Sequence, residues 1–356
     1  MTLFRYREDR IPVLMFLCVF ALDLTVYFLA SNWWLPILWF GALIIPKGWI
    51  CSWNHNHQHL PMFRHALPNR LLEVVFGFQT GITSHAWFLH HVVGHHKNYL
   101  DQAKDESRWK RDDGSTMGEV EYSLKTALTA YPRAFQVGLE QPQHRKALRI
   151  FVGMAALQVV LLGVLFWHDW YNALFVFLLP MAVSLYVTVW ATYFHHVGLE
   201  TDDHNLASYN ILHRGYNLMT GNLGYHTAHH SRHGLHWSKL PELHAQLARD
   251  IPPSLPPAGH PLRVARVRGQ AGAERRAGGS ARGLRRVVRA QARRRGLSHP
   301  GRGLARGPSP AGRAAAAYRA SFRSSTDMDQ GGNTSCTLLP EVRKVWFSEK
   351  PAGPPR

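Results

Sequence analysis

The residues of this chain best equipped to do chemistry are its histidines, 23 in 356 residues. The densest set lies in residues 88–97, where His91, His95 and His96 form an H-x-x-x-H-H group. At helical pitch, side chains four apart lie above one another, so His91 and His95 are expected to reach one point. His55 and His59 form H-x-x-x-H, and His226, His229 and His230 form H-x-x-H-H. A further pair, His195 and His196, closes a long apolar run. These eight box histidines are more than one tetrahedral zinc site can use, and Asn56 stands where the glutamate of an H-E-x-x-H protease would be. Two metals are the economical reading. Imidazole suits iron, copper, zinc and nickel alike, so ligand type leaves the metal open.

Each histidine group must be placed by the apolar segments around it. Residues 12–30 and 33–50 are long enough to cross about 30 Å of hydrocarbon, with Trp33, Trp34 and Trp49 at interfacial positions. Residues 71–89 carry Glu73, Gln79, Thr80 and Ser84, and suit an interfacial or re-entrant helix better than a span. Residues 147–167 and 172–194 are two more spans. The expected fold is therefore all-α: a polytopic membrane protein with four transmembrane helices, one interfacial or re-entrant helix and a histidine-rich cap. The loops at 31–32 and 168–171 lack Lys and Arg, whereas the remaining segments are rich in both. By the positive-inside rule both termini and every histidine box face the cytoplasm, and a bacterial inner membrane is the expected location.

Formal charge is +18, but residues 251–356 carry 21 Lys and Arg against 5 Asp and Glu. The body, residues 1–250, is thus nearly balanced, and the overall basicity does not point to nucleic-acid binding. The tail is rich in Arg, Ala, Gly and Pro with no apolar period, a composition that fits disorder, a basic arm on anionic lipid, or out-of-frame translation of GC-rich DNA. Cys18, Cys51 and Cys336 are too dispersed for a disulfide framework or an iron–sulfur motif. Electrons for any redox metal must come from another protein.

The order H-x-x-x-H after the second span, H-x-x-x-H-H after a short hydrophobic segment and H-x-x-H-H after the last span resembles the membrane fatty acid desaturase and hydroxylase superfamily. The resemblance covers residues 10–248. It implies a non-haem centre of two iron ions at the cytoplasmic face, O₂ as co-substrate, and an electron-transfer protein of ferredoxin, rubredoxin or cytochrome b5 type. It also implies a fatty acid or acyl thioester substrate. Carried over, the ligands are His55, His59, His91, His95, His96, His226, His229 and His230, with His195 favoured over His196 as a ninth. Residues 94–109 look like bacterial desaturase-like proteins, and the boxes are also those of fatty acid decarboxylases that make terminal alkenes. Desaturation is the first expectation, then decarboxylation, then hydroxylation. A membrane metal carrier or sensor is the non-enzymatic alternative.

Several neighbours have two readings. His57 and His90 adjoin the box residues but point off their face, and are expected beside the metals or as bystanders. Asp101 and Asp105 could accept hydrogen bonds from ligand imidazoles or form a solvated acidic face. Asn222 could support the centre or simply make a turn. Asp23 lies mid-span, where a carboxylate needs a partner. Arg64, Arg70, Arg108 and Arg111 are candidates for an acyl head group or membrane anchors.

Overall fold

The computed structural model describes residues 2–251, and the basic tail from residue 252 onward, with the expectation of disorder, lies outside them. The described chain is helical, without a strand. Four segments are long and apolar enough to cross a membrane. Helix α1 is Arg10–Leu29 and α2 is Trp34–His59. Helix α3, Ala66–Thr80, is followed by a π-helical segment, Phe88–His95. Then come α4 (Glu119–Glu140) and the third span, α5 (Arg145–His168). The fourth span is the short α6 (Trp170–Ala173), a π turn at Leu174–Leu178 and α7 (Leu179–His196). Small helices α8 (Arg214–Thr220), α9 (His226–Ser231) and α10 (Leu240–Leu247) complete the cap.

The length of α2 explains how the first box leaves the lipid. At 1.5 Å per residue its 26 residues extend about 39 Å, more than the hydrocarbon needs. The span expected to stop at Ile50 continues as helix through His59, carrying His55 and His59 beyond the apolar part.

Helix α3 is re-entrant. It ends at Gly81, whose φ of +68° is left-handed and whose missing Cβ would lie 2.4 Å from the Met181 carbonyl oxygen. Met181 is fifteen residues, or about 22 Å, from the histidine end of α7, so α3 penetrates well into the bundle before the chain turns back. Gln79 Nε2 donates to the Phe16 carbonyl (3.0 Å), tying this tip to α1. Its polar residues sit in a membrane-embedded segment because they serve such bonds.

Asp23 finds the partner that its depth demands. Its carboxylate lies 3.0 Å from Lys47 Nζ and accepts a hydrogen bond from Trp39 Nε1 (2.9 Å), while Lys47 also donates to the Val176 carbonyl (3.3 Å). Both charged side chains are fully buried. The pair therefore joins α1, α2 and the π turn before α7 inside the bundle. At the far end Asn172 Nδ2 caps the Tyr27 and Ala30 carbonyls of α1 (3.0 and 3.2 Å).

Candidate metal centre

Helices α2 and α7 both end in histidines, and the start of α1 is bonded to the cap, since Asp9 accepts from His236 Nε2 (3.1 Å) and Trp237 Nε1 (2.8 Å). The histidine boxes are thus brought to one end of the bundle by the alternating direction of the spans. All eight box histidines are drawn into one buried cluster, and it has two parts.

The first group contains His55, His59, His91, His96 and His229, with one nitrogen from each lying within 4.8 Å of the others. Within it the Nε2 separations are 2.7 Å for His55–His91, 3.0 Å for His91–His96 and 3.0 Å for His96–His229. The second group contains His95, His196 and His230. His226 adjoins it, its Nε2 lying 3.0 Å from that of His196 and 3.1 Å from that of His230.

The division departs from the helical expectation at the second box. His91 and His95 were expected to share a point, but residues 88–95 are wound as a π helix, with the His96 amide donating to the His91 carbonyl at 2.8 Å. That five-residue closure puts His96, not His95, over His91. His95 turns to the second group, 3.3 Å from His196 Nε2. In α9 the ordinary helical spacing holds, so His226 and His230 stay together and His229 faces the first group.

At the end of α7 both neighbours lie against the cluster. His196 faces the cluster, with Nδ1 bonded to the Ala207 carbonyl (2.9 Å) and Nε2 turned toward His95 and His226. His195 bonds the Tyr209 carbonyl through Nδ1 (2.9 Å) and stacks on His226 at 3.8 Å between centroids, so it adjoins the second group through His226. One residue is a rotation of about 100° on a helix, and only the packing of α7 fixes that phase.

The donor set suits first-row transition metals. Two imidazole nitrogens on one ion at about 2.1 Å lie between about 3 and 4.2 Å apart, and the His91–His96, His96–His229, His95–His196, His196–His226 and His226–His230 separations fall in that range, with His55–His91 shorter at 2.7 Å. Histidine must be neutral to lend a lone pair, and burial, reinforced by repulsion among the imidazoles, holds His91, His96, His226, His229 and His230 well below the usual histidine range. His59 is buried around its ring with neither nitrogen hydrogen-bonded. A cation between the rings would satisfy lone pairs that otherwise face one another.

The surrounding residues fix the rings. Asp105, buried, bonds His95 Nδ1 at 2.8 Å, which turns Nε2 toward His196. Asp101 does not share this role: it is partly exposed and pairs with Lys104 at 2.6 Å. His57 accepts the Met62 amide at Nδ1 (3.3 Å) and faces Glu73 through Nε2 (3.3 Å), away from both groups. Glu73 in turn bonds Arg70 and Ser84, a network that braces α2 against the turn before the second box. Asn222 is a turn residue, with φ of +61° and its amide donating to the Trp237 carbonyl (3.1 Å).

His90 is buried against Trp87, and burial, with the nearby charge of Arg133, pushes its pKa down to about 3. Two residues absent from the motif reading complete the surroundings. His233 lies 5.4 Å from His96 between ring centroids, and Tyr99 packs 4.3 Å from His230. Neither falls in a recognisable spacing, although His233 follows His229 by one helical turn. A small depression lined by His59, His229, His233, Asp9, His236 and Trp237 adjoins the first group.

The head-group candidates named from sequence are engaged elsewhere. Arg108 pairs with Asp112, Arg111 with Glu121, Arg70 with Glu73, and Arg64 donates to the Phe4 carbonyl.

Four apolar spans, a re-entrant helix and a buried two-part histidine cluster at one end of the bundle define a multi-histidine integral membrane protein. The sequence profile described as fatty acid desaturase matches residues 31–261, and the chain belongs to that family. It is an oxidoreductase of the fatty acyl desaturase and hydroxylase type, with an acyl substrate and a membrane setting. No curated protein and no solved structure matches it.

Proposed function

We propose that the cluster holds two iron ions and that the protein desaturates a fatty acyl chain with O₂. The observation that carries this reading is the partition of the imidazoles: five nitrogens converge on one point, and three, with His226 adjoining, on a second. His55, His59, His91, His96 and His229 would hold one iron; His95, His196, His226 and His230 the other. Bound there, iron would let O₂ and two electrons from a one-electron carrier protein take two hydrogens from neighbouring carbons, so that alkane segment, O₂, two electrons and two protons give alkene and two waters.

The chain's own contribution is placement. Asp105 and the carbonyl of Ala207 hold Nδ1 of His95 and His196, leaving Nε2 of each for the metal. Trp87 stacks on His91 and Tyr99 packs tilted against His230, restricting ring motion. Leu89, Val93, Val189 and Phe194 belong to the apolar core beside the second box, and would keep water from a reacting chain. A metal carrier is disfavoured because the histidines gather at one end of the spans rather than along a path through them.

Under this reading the active face is cytoplasmic, as the distribution of Lys and Arg supports. The test is expression of the full chain in cells supplied with fatty acids, with products read by gas chromatography and metals by elemental analysis of the purified protein. An internal olefin together with two irons per chain is the expected result. A hydrocarbon one carbon shorter would replace desaturation by decarboxylation, and stoichiometric zinc without O₂ uptake would remove the oxidase reading.

A further inference from the structure

Asp105 orients the ring of His95, and two side chains of α4 hold the backbone that carries Asp105. The carboxylate oxygen facing His95 Nδ1 (2.8 Å) also accepts from the Ser107 amide (2.7 Å), so its position depends on the chain at residues 105–107. That stretch is gripped from outside. Arg133 Nη1 donates to the Glu106 carbonyl, and the Tyr122 hydroxyl donates to the Ser107 carbonyl (3.2 Å). Tyr122 and Arg133 are separated by about three helical turns, so both leave the same face of α4 and converge on adjacent carbonyls.

Other bonds close the loop on itself. The Asp105 amide donates to the Asp101 carbonyl (2.9 Å), the Arg108 amide to the Asp105 carbonyl (3.1 Å) and the Trp109 amide to Gln102 Oε1 (2.9 Å). They give the loop its shape, whereas the bonds from α4 set where it sits on the second histidine box. The fit there is close: a Cβ on Gly94, the residue before His95, would lie 2.4 Å from Glu106 Cγ. Arg133 also faces the Glu106 carboxylate at 4.0 Å with its side chain 17% exposed, and Tyr122 is 1% exposed. Donors so placed hold the loop from the protein side, not from solvent.

We propose that Arg133 and Tyr122 are positioning residues for one metal of the pair, acting through Asp105 on His95. The inference rests on the two-metal reading above and adds which of the two sites α4 controls. In that reading the second site has His95, His196, His226 and His230, one imidazole fewer than the first, and His95 takes its orientation from a carboxylate. The first group draws His55 and His59 from α2 and His229 from α9, while the loop bears on the second box at Gly94 and His95. A partner behind a metal-binding imidazole is worth about 10- to 100-fold in affinity, and residues that place the partner act on the same quantity. A slackened loop therefore weakens the second site first.

The test reads metal affinity at each site. Full-length protein in lipid nanodiscs, stripped of metal, is titrated with cobalt(II) against a competing chelator; the visible spectrum follows binding, and His95→Ala and His96→Ala assign the bands. Arg133→Met is expected to weaken the second site about tenfold while leaving the first within about twofold. Tyr122→Phe, which removes only the hydroxyl, should act in the same sense by about threefold, and Arg133→Lys should recover part of the loss. The deciding comparison repeats these variants in Asp105→Ala protein. With the carboxylate gone, neither Arg133→Met nor Tyr122→Phe should weaken the second site by more than about a further twofold.

Equal weakening of both sites would mean that α4 only stabilises the bundle. An undiminished loss in the Asp105→Ala background would mean that α4 acts by another route, and no loss at all would mean that the loop holds itself. Each of these overturns the proposal. Should Arg133→Met fail to fold, Arg133→Lys and Tyr122→Phe carry the same comparison. Selective weakening in a protein that consumes no O₂ would sink the oxidase reading and leave the role of α4 standing. Unsaturated product from wild-type protein, with both sites weakened alike in the variants, would do the reverse.

Discussion

His91 and His96, five residues apart, bring their Nε2 atoms to 3.0 Å because the second box is wound as a π helix, while His95 between them turns to the other histidine group. Variants at the two positions should therefore lose different metals. His96→Ala and His95→Ala are each expected to retain about one iron in place of two, and the double variant almost none. Iron content with the spectrum of each single variant checks this. Identical spectra from the two would contradict the partition.

His196 and His195 make a sharper comparison, since they are neighbours on one helix. His196→Ala should lower iron content and abolish O₂ uptake. His195→Gln, which keeps a side chain able to bond the Tyr209 carbonyl, should retain both irons. Metal loss in His195→Gln but not in His196→Ala would instead make His195 the ligand.

Asp105 acts through His95. Asp105→Asn preserves size but turns a charged acceptor into an amide, and a loss of about 10- to 100-fold in iron affinity at the second group is expected. Asp101→Asn, at an exposed carboxylate paired with Lys104, should change neither affinity nor turnover. Competition with a chelator measures both.

The Asp23–Lys47 pair predicts an asymmetry between single and double variants. Asp23→Asn or Lys47→Met leaves one buried charge without its partner and should cost about 3–5 kcal/mol. Asp23→Leu with Lys47→Met should recover much of that stability. Denaturant unfolding in detergent provides the comparison, and a double variant less stable than either single one would oppose it.

Acid should destabilise the metal-free protein. The folded-state pKa values of His91, His96, His226, His229 and His230 are depressed, as are those of His90 (about 3) and His233 (about 4). In each case burial is the main cause. A depressed histidine makes the unfolded chain the stronger proton binder. Stability is then complete above the unfolded value near 6.5 and falls as pH drops toward the folded values, by about 1.4 kcal/mol per pH unit for each such group. Unfolding free energies of apoprotein between neutral pH and pH 5 would show the slope. A flat profile would mean that these rings are hydrated.

The sequence alone settled what local pattern can settle. Four apolar runs of spanning length, three histidine boxes and the alternation of charged and uncharged loops identify a membrane protein whose histidines meet at one end, because hydrophobic length and helical period are properties of neighbouring residues. His55 with His59, and His226 with His230, are paired in space as the four-residue spacing requires. Tertiary structure alone decided the rest. It wound residues 88–95 as a π helix, which separates His95 from His91; it set the rotation of α7, which turns His196 Nε2 toward His95 and His226 and stacks His195 on His226; and it distinguished Asp105 from Asp101 four residues earlier. Each of these depends on how one helix is turned against others far away in the chain, and spacing carries no record of that turn.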